Sequence, residues 1–205
     1  MIIRATLLAA VMLSIAACSY EAPKNQVTLT VDQTLPLPVS DGSKSVDVTI
    51  YRDRYGVPQV FADSNYGVYF GYGYSVARDR LFQMEMLKRT AQGRVARVLG
   101  RDYLDLDIKL RTQYDHQLVH QQVSNLGRRD LDILEGYAAG FNAYIDELRS
   151  TDAFENGLPK PFYDFDFLPS RWDAFDVASV YVGSIAHRYA DFNSERDNLN
   201  FLQAM

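Results

Sequence analysis

Apolar and polar residues alternate with period two in three short stretches of the chain's first third. These are Val27-Thr28-Leu29-Thr30-Val31, Val46-Asp47-Val48-Thr49-Ile50, and Val57 to Ala62 behind an Arg54-Tyr55-Gly56 turn. Pro36, Pro38 and Asp41-Gly42 supply turn material between the first two. Such a period sends successive side chains to opposite faces and predicts three strands. From Ser75 the spacing lengthens: Val76, Leu81, Met84, Leu87 and Ala91 recur at helical intervals, and Gly93 weakens the end of that helix. A second helix is predicted from Asp105 to Val123. A third carries an apolar stripe through Leu131, Leu134, Tyr137, Ala138, Phe141, Ile145 and Leu148, with Asp130 and Asp132 near its positive N-terminal end. Ser170-Arg171-Trp172-Asp173 resembles a capping box, with aspartate for the usual glutamate, and opens a last helix toward Arg188. The intervening residues 157–170 hold Pro159, Pro161 and Pro169 among aromatic residues, whose rings are predicted to pin that loop.

Strands first and helices afterwards predict an α+β protein rather than alternating strand-helix units. Three strands make a poor independent sheet, so further strands are expected from elsewhere. The run Asn198 to Met205 is amphipathic with no cap, glycine or proline to stop it, and reads as cut rather than finished. At the other end, Met-Ile-Ile-Arg precedes Ala5 to Ala17, in which only Thr6 and Ser14 are polar. A bilayer span needs about 20 apolar residues, so this shorter run is read as an export signal. Ile15-Ala16-Ala17-Cys18 resembles a bacterial lipobox, with small residues before a cysteine that takes lipid. The expected organisation is a signal peptide at 1–17 cleaved before a lipidated Cys18, a tether at 18–26, and a folded region at 27–205. Periplasmic location, with an anchor in the outer membrane, follows from that organisation. Cleavage near Ala17 without lipid is the alternative.

Composition narrows the chemistry. Of 205 residues, 47% are hydrophobic and 13% aromatic, enough to build a packed core. A net charge of -5 lacks the basic excess that nucleic acid requires. The single cysteine, Cys18, excludes an internal disulfide and a cysteine-based zinc cage.

No constellation reads as complete catalytic machinery. In Gly71-Tyr72-Gly73-Tyr74 the third glycine of a nucleotide loop is replaced by Val76, so the glycines are read as room for backbone beside packed tyrosines. His116 and His120 share a helical face but lack the glutamate of a zinc protease motif, and a solvated face is preferred. His187 with Ser184 or Ser194 and Asp191 supplies the residue types of a hydrolytic triad without the nucleophile elbow. Asp102, Asp105 and Asp107 are assigned to a solvated helix start, and Asp164 and Asp166 to a turn that packs its rings.

Several longer motifs do point outward. Tyr51-Arg52-Asp53-Arg54-Tyr55-Gly56-Val57-Pro58, then Phe70 to Met86, Gln92-Gly93 and Val98-Leu99-Gly100 together resemble the penicillin acylases. The match continues through Leu134-Glu135-Gly136-Tyr137-Ala138, Pro169 to Val177, Val182 to Arg188 and Ser194 to Asn198. It is most similar to the small α chain of the penicillin G acylase branch, among the N-terminal-nucleophile hydrolases.

The resemblance implies part of an αββα fold completed by a separate β chain. That partner would carry the nucleophilic serine at its own N-terminus, with the α-amino group as base, and the oxyanion donors. No catalytic residue is then expected within these 205 residues. Ile185, Arg188 and Tyr189 align with residues lining the acyl pocket, where the branch usually has Met and Phe at the first and third positions. Glu195 aligns with a carboxylate that helps hold a structural calcium between the chains. The implied activity is hydrolysis of a penicillin side-chain amide to a carboxylate and 6-aminopenicillanate. An acyl-homoserine-lactone acylase, or a nonenzymatic lipid-anchored binding module, are the alternatives.

Overall fold

The computed structural model describes residues 30–36, 47–151, 157–189 and 194–204. Cys18 and the segment 1–17 read as an export signal lie outside them. Three antiparallel strands come first, in the spatial order β1-β2-β3. β1 (Thr30–Pro36) pairs with β2 (Asp47–Arg52), from Thr30 opposite Arg52 to Pro36 opposite Asp47, with an irregularity between Val31 and Gln33. β3 (Pro58–Phe61) pairs with the other edge of β2, Thr49 facing Phe61. The described part of β1 therefore runs beyond the Val27–Val31 pattern, because pairing with β2 extends the strand through less regular residues to Pro36, which is tolerated at a sheet edge. Asp53 shapes the β2–β3 turn by accepting from the amides of Tyr55 (2.8 Å) and Val57 (2.9 Å). Arg52 fixes β1 and β2 to the first helix, pairing with Asp32 at 3.1 Å and with both oxygens of Asp79 at 3.0 Å.

The first helix, α1 (Asn65–Ala91), begins ten residues before the apolar spacing predicts. Ser64 caps it by accepting from the Gly67 amide at 3.0 Å. Gly71 and Gly73 thus lie inside a helix rather than in a turn. They survive there because α1 packs directly on α5 (Arg128–Arg149) and on the sheet. A Cβ at Gly73 would collide with the Tyr137 carbonyl oxygen, and one at Gly71 with the side chains of Val60 and Val48. Gly140 of α5 meets the Phe70 carbonyl in the same way. The expected role of the Gly-Tyr-Gly-Tyr segment, close backbone approach beside tyrosines, is therefore what the structure shows. Within α1 the backbone leaves helical values at Arg80 (φ -142°, ψ 30°), which kinks the helix.

At its end, Gly93 takes a positive φ of 59° and the Arg94 amide returns to the Arg89 carbonyl at 2.8 Å, closing the last turn. A single turn, α2 (Ala96–Leu99), follows. The predicted helix from Asp105 to Val123 is two helices, α3 (Leu104–Gln113) and α4 (His116–Ser124). They separate because Tyr114 is extended, its hydroxyl donating to the Ala91 carbonyl, while Asp115 accepts from the Gln117 amide and caps the second helix.

The core lies between α1, α5 and the returning chain, around Leu81, Phe141, Ile145, Phe162 and Trp172. Residues 157–170 contain a short helix, α6 (Lys160–Asp164), and are held by rings as expected: Phe82 meets Phe162 edge-on at 5.3 Å and stacks on Phe165 at 6.2 Å. The last long helix, α7 (Ala174–Tyr189), starts later than the predicted capping box. Asp173 and Asp176, not Ser170 and Asp173, exchange the capping bonds, at 2.8 and 3.1 Å. Ser170 is drawn away into a buried ionic cluster. α7 crosses α1 where Gly183 closes on Ala91, and α8 (Ser194–Gln203) follows.

Candidate functional site

α7 carries three of the four aligned residues, Ile185, Arg188 and Tyr189. Its residues Val177, Val180, Tyr181 and Ser184 recur at helical spacing and form one wall of an open groove of about 460 Å³. Tyr72, Tyr137 and Trp172 contribute rings, and among the described residues no charged side chain lines the groove. Burial, and then Tyr72, raise the Tyr137 phenol above its ordinary pKa, so this ring stays neutral in the groove. The Trp172 indole nitrogen is buried without a hydrogen-bond partner among the described residues.

Ile185 follows Ser184 on α7 and is 42% exposed, at the edge of this wall and outside the groove's own lining. Arg188 lies one turn beyond Ser184 and Tyr189 one turn beyond Ile185; for these two the description extends to the helical backbone and not to the side chains. Glu195 occupies the first turn of α8 under the same limit. His187 is likewise placed only as backbone of α7, and Asp191 falls outside the described residues. Among the described residues no group of three or more His, Cys, Asp or Glu side chains could hold a metal ion. Nor is any helix there long and apolar enough to cross a membrane.

The two histidines of α4 part company: His120 is exposed, as expected of a solvated face, while His116 is half-buried. His120 stacks one face on Phe175 with centroids 3.5 Å apart, and His116 lies against the Tyr114 ring at 4.4 Å, its buried Nε2 without a partner among the described residues. Asp107 also departs from the solvated role expected for it. It is buried and accepts from the amides of Val95 (2.8 Å) and Ala96 (2.9 Å), capping α2 from another helix. Asp102 and Asp105 remain exposed, and Asp164 pairs with Lys160.

Behind the groove is a cluster that the sequence does not reveal. Lys88 Nζ donates to Ser170 Oγ at 2.7 Å and to the Arg171 carbonyl at 3.2 Å, beside Glu85 at 3.4 Å and under the Trp172 ring at 4.8 Å. The Ser170 hydroxyl donates in turn to Glu85, which also accepts from Arg89 at 3.0 Å. Gln92 donates to Asp176 at 2.6 Å. Asn142 exchanges two hydrogen bonds with the Trp172 backbone, at 2.7 and 2.8 Å. A buried charge is tolerated only when neighbours satisfy it; the cation has several, and Glu85 takes its hydrogen bonds on Oε1 while Oε2 keeps the 3.4 Å ionic contact with Lys88. The result locks the strand-like approach to α7, and with it Trp172, against α1 and α5. Lys88 and Glu85 carry the three-residue spacing of an ordinary solvated helix pair, so their own spacing is no guide to this burial.

Comparison with known proteins agrees with this arrangement. The family model for penicillin amidase matches residues 47–203. Penicillin G acylase of Escherichia coli is 43% identical over 181 residues, covering 88% of this chain and 21% of that protein. Acyl-homoserine lactone acylase QuiP of Pseudomonas aeruginosa is 32% identical over 136 residues, covering 66% of this chain and 15% of that protein. The chain thus spans about a fifth of the length of the curated relatives it matches. Among solved structures, thermostable penicillin G acylase from Alcaligenes faecalis superposes with a TM-score of 0.71 at 43% identity, covering 78% of this chain and 83% of that one. A family model that runs from β2 into α8, and a solved relative that shares both fold and sequence, lead to one conclusion: the chain belongs to the penicillin amidase family.

Proposed function

We propose that this chain supplies one wall of the acyl site in an amide-hydrolysing acylase, and that the nucleophile resides on a separate β chain. The observation that carries this reading is the ring-lined, largely apolar groove along α7, whose helical register runs through Ser184 toward position 188. A ring-lined apolar groove suits the acyl part of an amide, which loses little by leaving water. Under the reading, Ile185, Arg188 and Tyr189 border the acyl group of a penicillin side chain. The N-terminal serine of the β chain attacks the amide carbonyl, and its own α-amino group, through a water, takes the proton. An α-amino group titrates near 7.7 to 8.0, close enough to neutrality to serve as that base. Donors from the same chain hold the developing oxyanion. The products are a carboxylate and 6-aminopenicillanate.

Two accessory features belong to the proposal. Glu195 contributes one oxygen to a structural calcium; calcium takes about 6 to 8 oxygens, so residues of this chain alone do not fit the ion. Cys18 carries lipid and retains the exported protein at the periplasmic face of the outer membrane.

A second reading has its own support, since acyl-homoserine lactone acylases are among the relatives and a groove of about 460 Å³ has room for a longer acyl chain. The full-length gene product should be assayed for kcat/KM on phenylacetyl, hydroxyphenylacetyl and phenoxyacetyl amides of 6-aminopenicillanate, and on long-chain acyl homoserine lactones. The penicillin reading expects the aromatic amides to be preferred by at least about tenfold; the reverse order refutes it. In the same assay Tyr189→Phe should shift preference toward phenylacetyl. An unpaired hydroxyl facing an apolar acyl group costs about 1–3 kcal/mol, enough for a several-fold change. Unchanged relative rates would remove Tyr189 from the site.

A further inference from the structure

The end of α1 gathers positive charge in a chain whose net charge is -5. A polar cavity of about 310 Å³ opens there, bordered by five cationic side chains and only two carboxylates, Glu85 and Asp176. Both carboxylates are already engaged, Glu85 by Lys88 and Arg89, and Asp176 by Lys88 and Gln92. Arg171 pairs with Asp146 at 2.6 Å. Arg94 and Arg97 are left over: among the described residues neither has an ion pair or a side-chain hydrogen bond, although both border the cavity. The Arg89 Nε is also buried without an acceptor among the described residues. Arg94 instead faces like charge, acting with Arg111 to disfavour protonation of His116.

The segment bearing the two arginines is held in shape. Gly93 sits at positive φ, Arg111 Nε donates to its carbonyl at 2.9 Å, and Asp107 ties down the amides of Val95 and Ala96. Arg94 and Arg97 themselves are exposed on this held backbone; neighbouring uncompensated cations favour a counter-ion, and guanidinium groups match a carboxylate through paired N–H donors.

We propose that this cavity binds a carboxylate, held by Arg94 and Arg97 beside the Lys88–Glu85 cluster. The same chemistry is offered by a free dicarboxylate and by an acidic side chain of polypeptide outside residues 1–205. The site is separate from the acyl groove and does not depend on the acyl-transfer reading.

The test measures thermal melting of the full-length gene product in chloride and in succinate at matched ionic strength. R94Q/R97Q is compared with wild type and with R101Q/R129Q, which removes two exposed arginines elsewhere. For a free dicarboxylate, succinate raises the wild-type Tm saturably, its apparent affinity falls at least about tenfold in R94Q/R97Q, and R101Q/R129Q behaves as wild type. For a carboxylate of the polypeptide itself, succinate has no effect on wild type, while R94Q/R97Q alone melts lower in chloride. If R94Q/R97Q matches R101Q/R129Q both in chloride and in its response to succinate, the proposal is overturned.

Discussion

His116 illustrates how much a single residue depends on its surroundings. Burial, followed by Arg111 and Arg94, lowers its pKa below the ordinary value of 6.5, while Asp115 opposes the shift. The unfolded chain therefore takes up the proton more readily than the folded one. Stability gained by keeping this imidazole neutral is fully present above about pH 6.5 and is lost as pH falls through that value toward the lower folded pKa. Melting of the full-length gene product should weaken between about pH 7.5 and about pH 5.5, and His116→Gln should reduce that dependence. Identical pH profiles in the two proteins would contradict the assignment. Tyr114, beside it, is pushed up to about 12 by burial and stays a neutral donor throughout. Neither environment is legible locally: His116 and His120 have the spacing of a water-facing pair, and only the docking of α7 puts Phe175 over His120. Asp107 differs from expectation for the same reason, and the burial of Lys88 is equally illegible, since the hydrogen-bond partners of both come from 11 or more positions away in the chain.

At the scale of elements, the backbone contact between α1 and α5 is the feature most sensitive to substitution. Gly73→Ala puts a methyl group into the Tyr137 carbonyl, and relieving that clash by moving either helix should cost on the order of 1–3 kcal/mol. Gly127→Ser is the contrasting case: it lies in open space at the N-cap of α5, where serine should be neutral or slightly stabilising. Denaturant titration of both variants checks the pair, and equal effects would argue against the close approach. The stripe from Leu131 to Leu148 marked α5 because one helix face is buried along its length. The start of α1 escaped the same reasoning, since its first turns bury glycines and tyrosines rather than a periodic aliphatic row. The break between α3 and α4 was missed because Asp115 caps one helix within a run whose apolar spacing continues through it. The Asp173–Asp176 cap was displaced by three residues because Ser170 satisfies buried Lys88 and Glu85 instead of a helix end.

The molecule as a whole raises questions that its full-length form can answer. If Glu195 joins an interchain calcium, Glu195→Ala should lower metal content and the yield of mature protein while leaving kcat of correctly matured enzyme within about twofold. Unchanged metal content and maturation would dismiss that role. If Cys18 carries lipid, Cys18→Ala should release the protein from membranes with kcat/KM unaltered, and mass spectrometry of the wild-type N-terminus should find acyl chains. An unmodified, soluble wild-type protein would end the anchor proposal. The sequence by itself determined the α+β class, the long helix at 128–149, the ring-pinned loop and membership of the family, because periodicity and extended motifs are properties of neighbouring residues. Tertiary structure alone decided which polar residues are buried and what they bind. Lys88, Glu85, Ser170 and Asp176 become one cluster only when segments more than 80 residues apart meet, and the desolvation that makes their mutual satisfaction necessary exists only after that meeting.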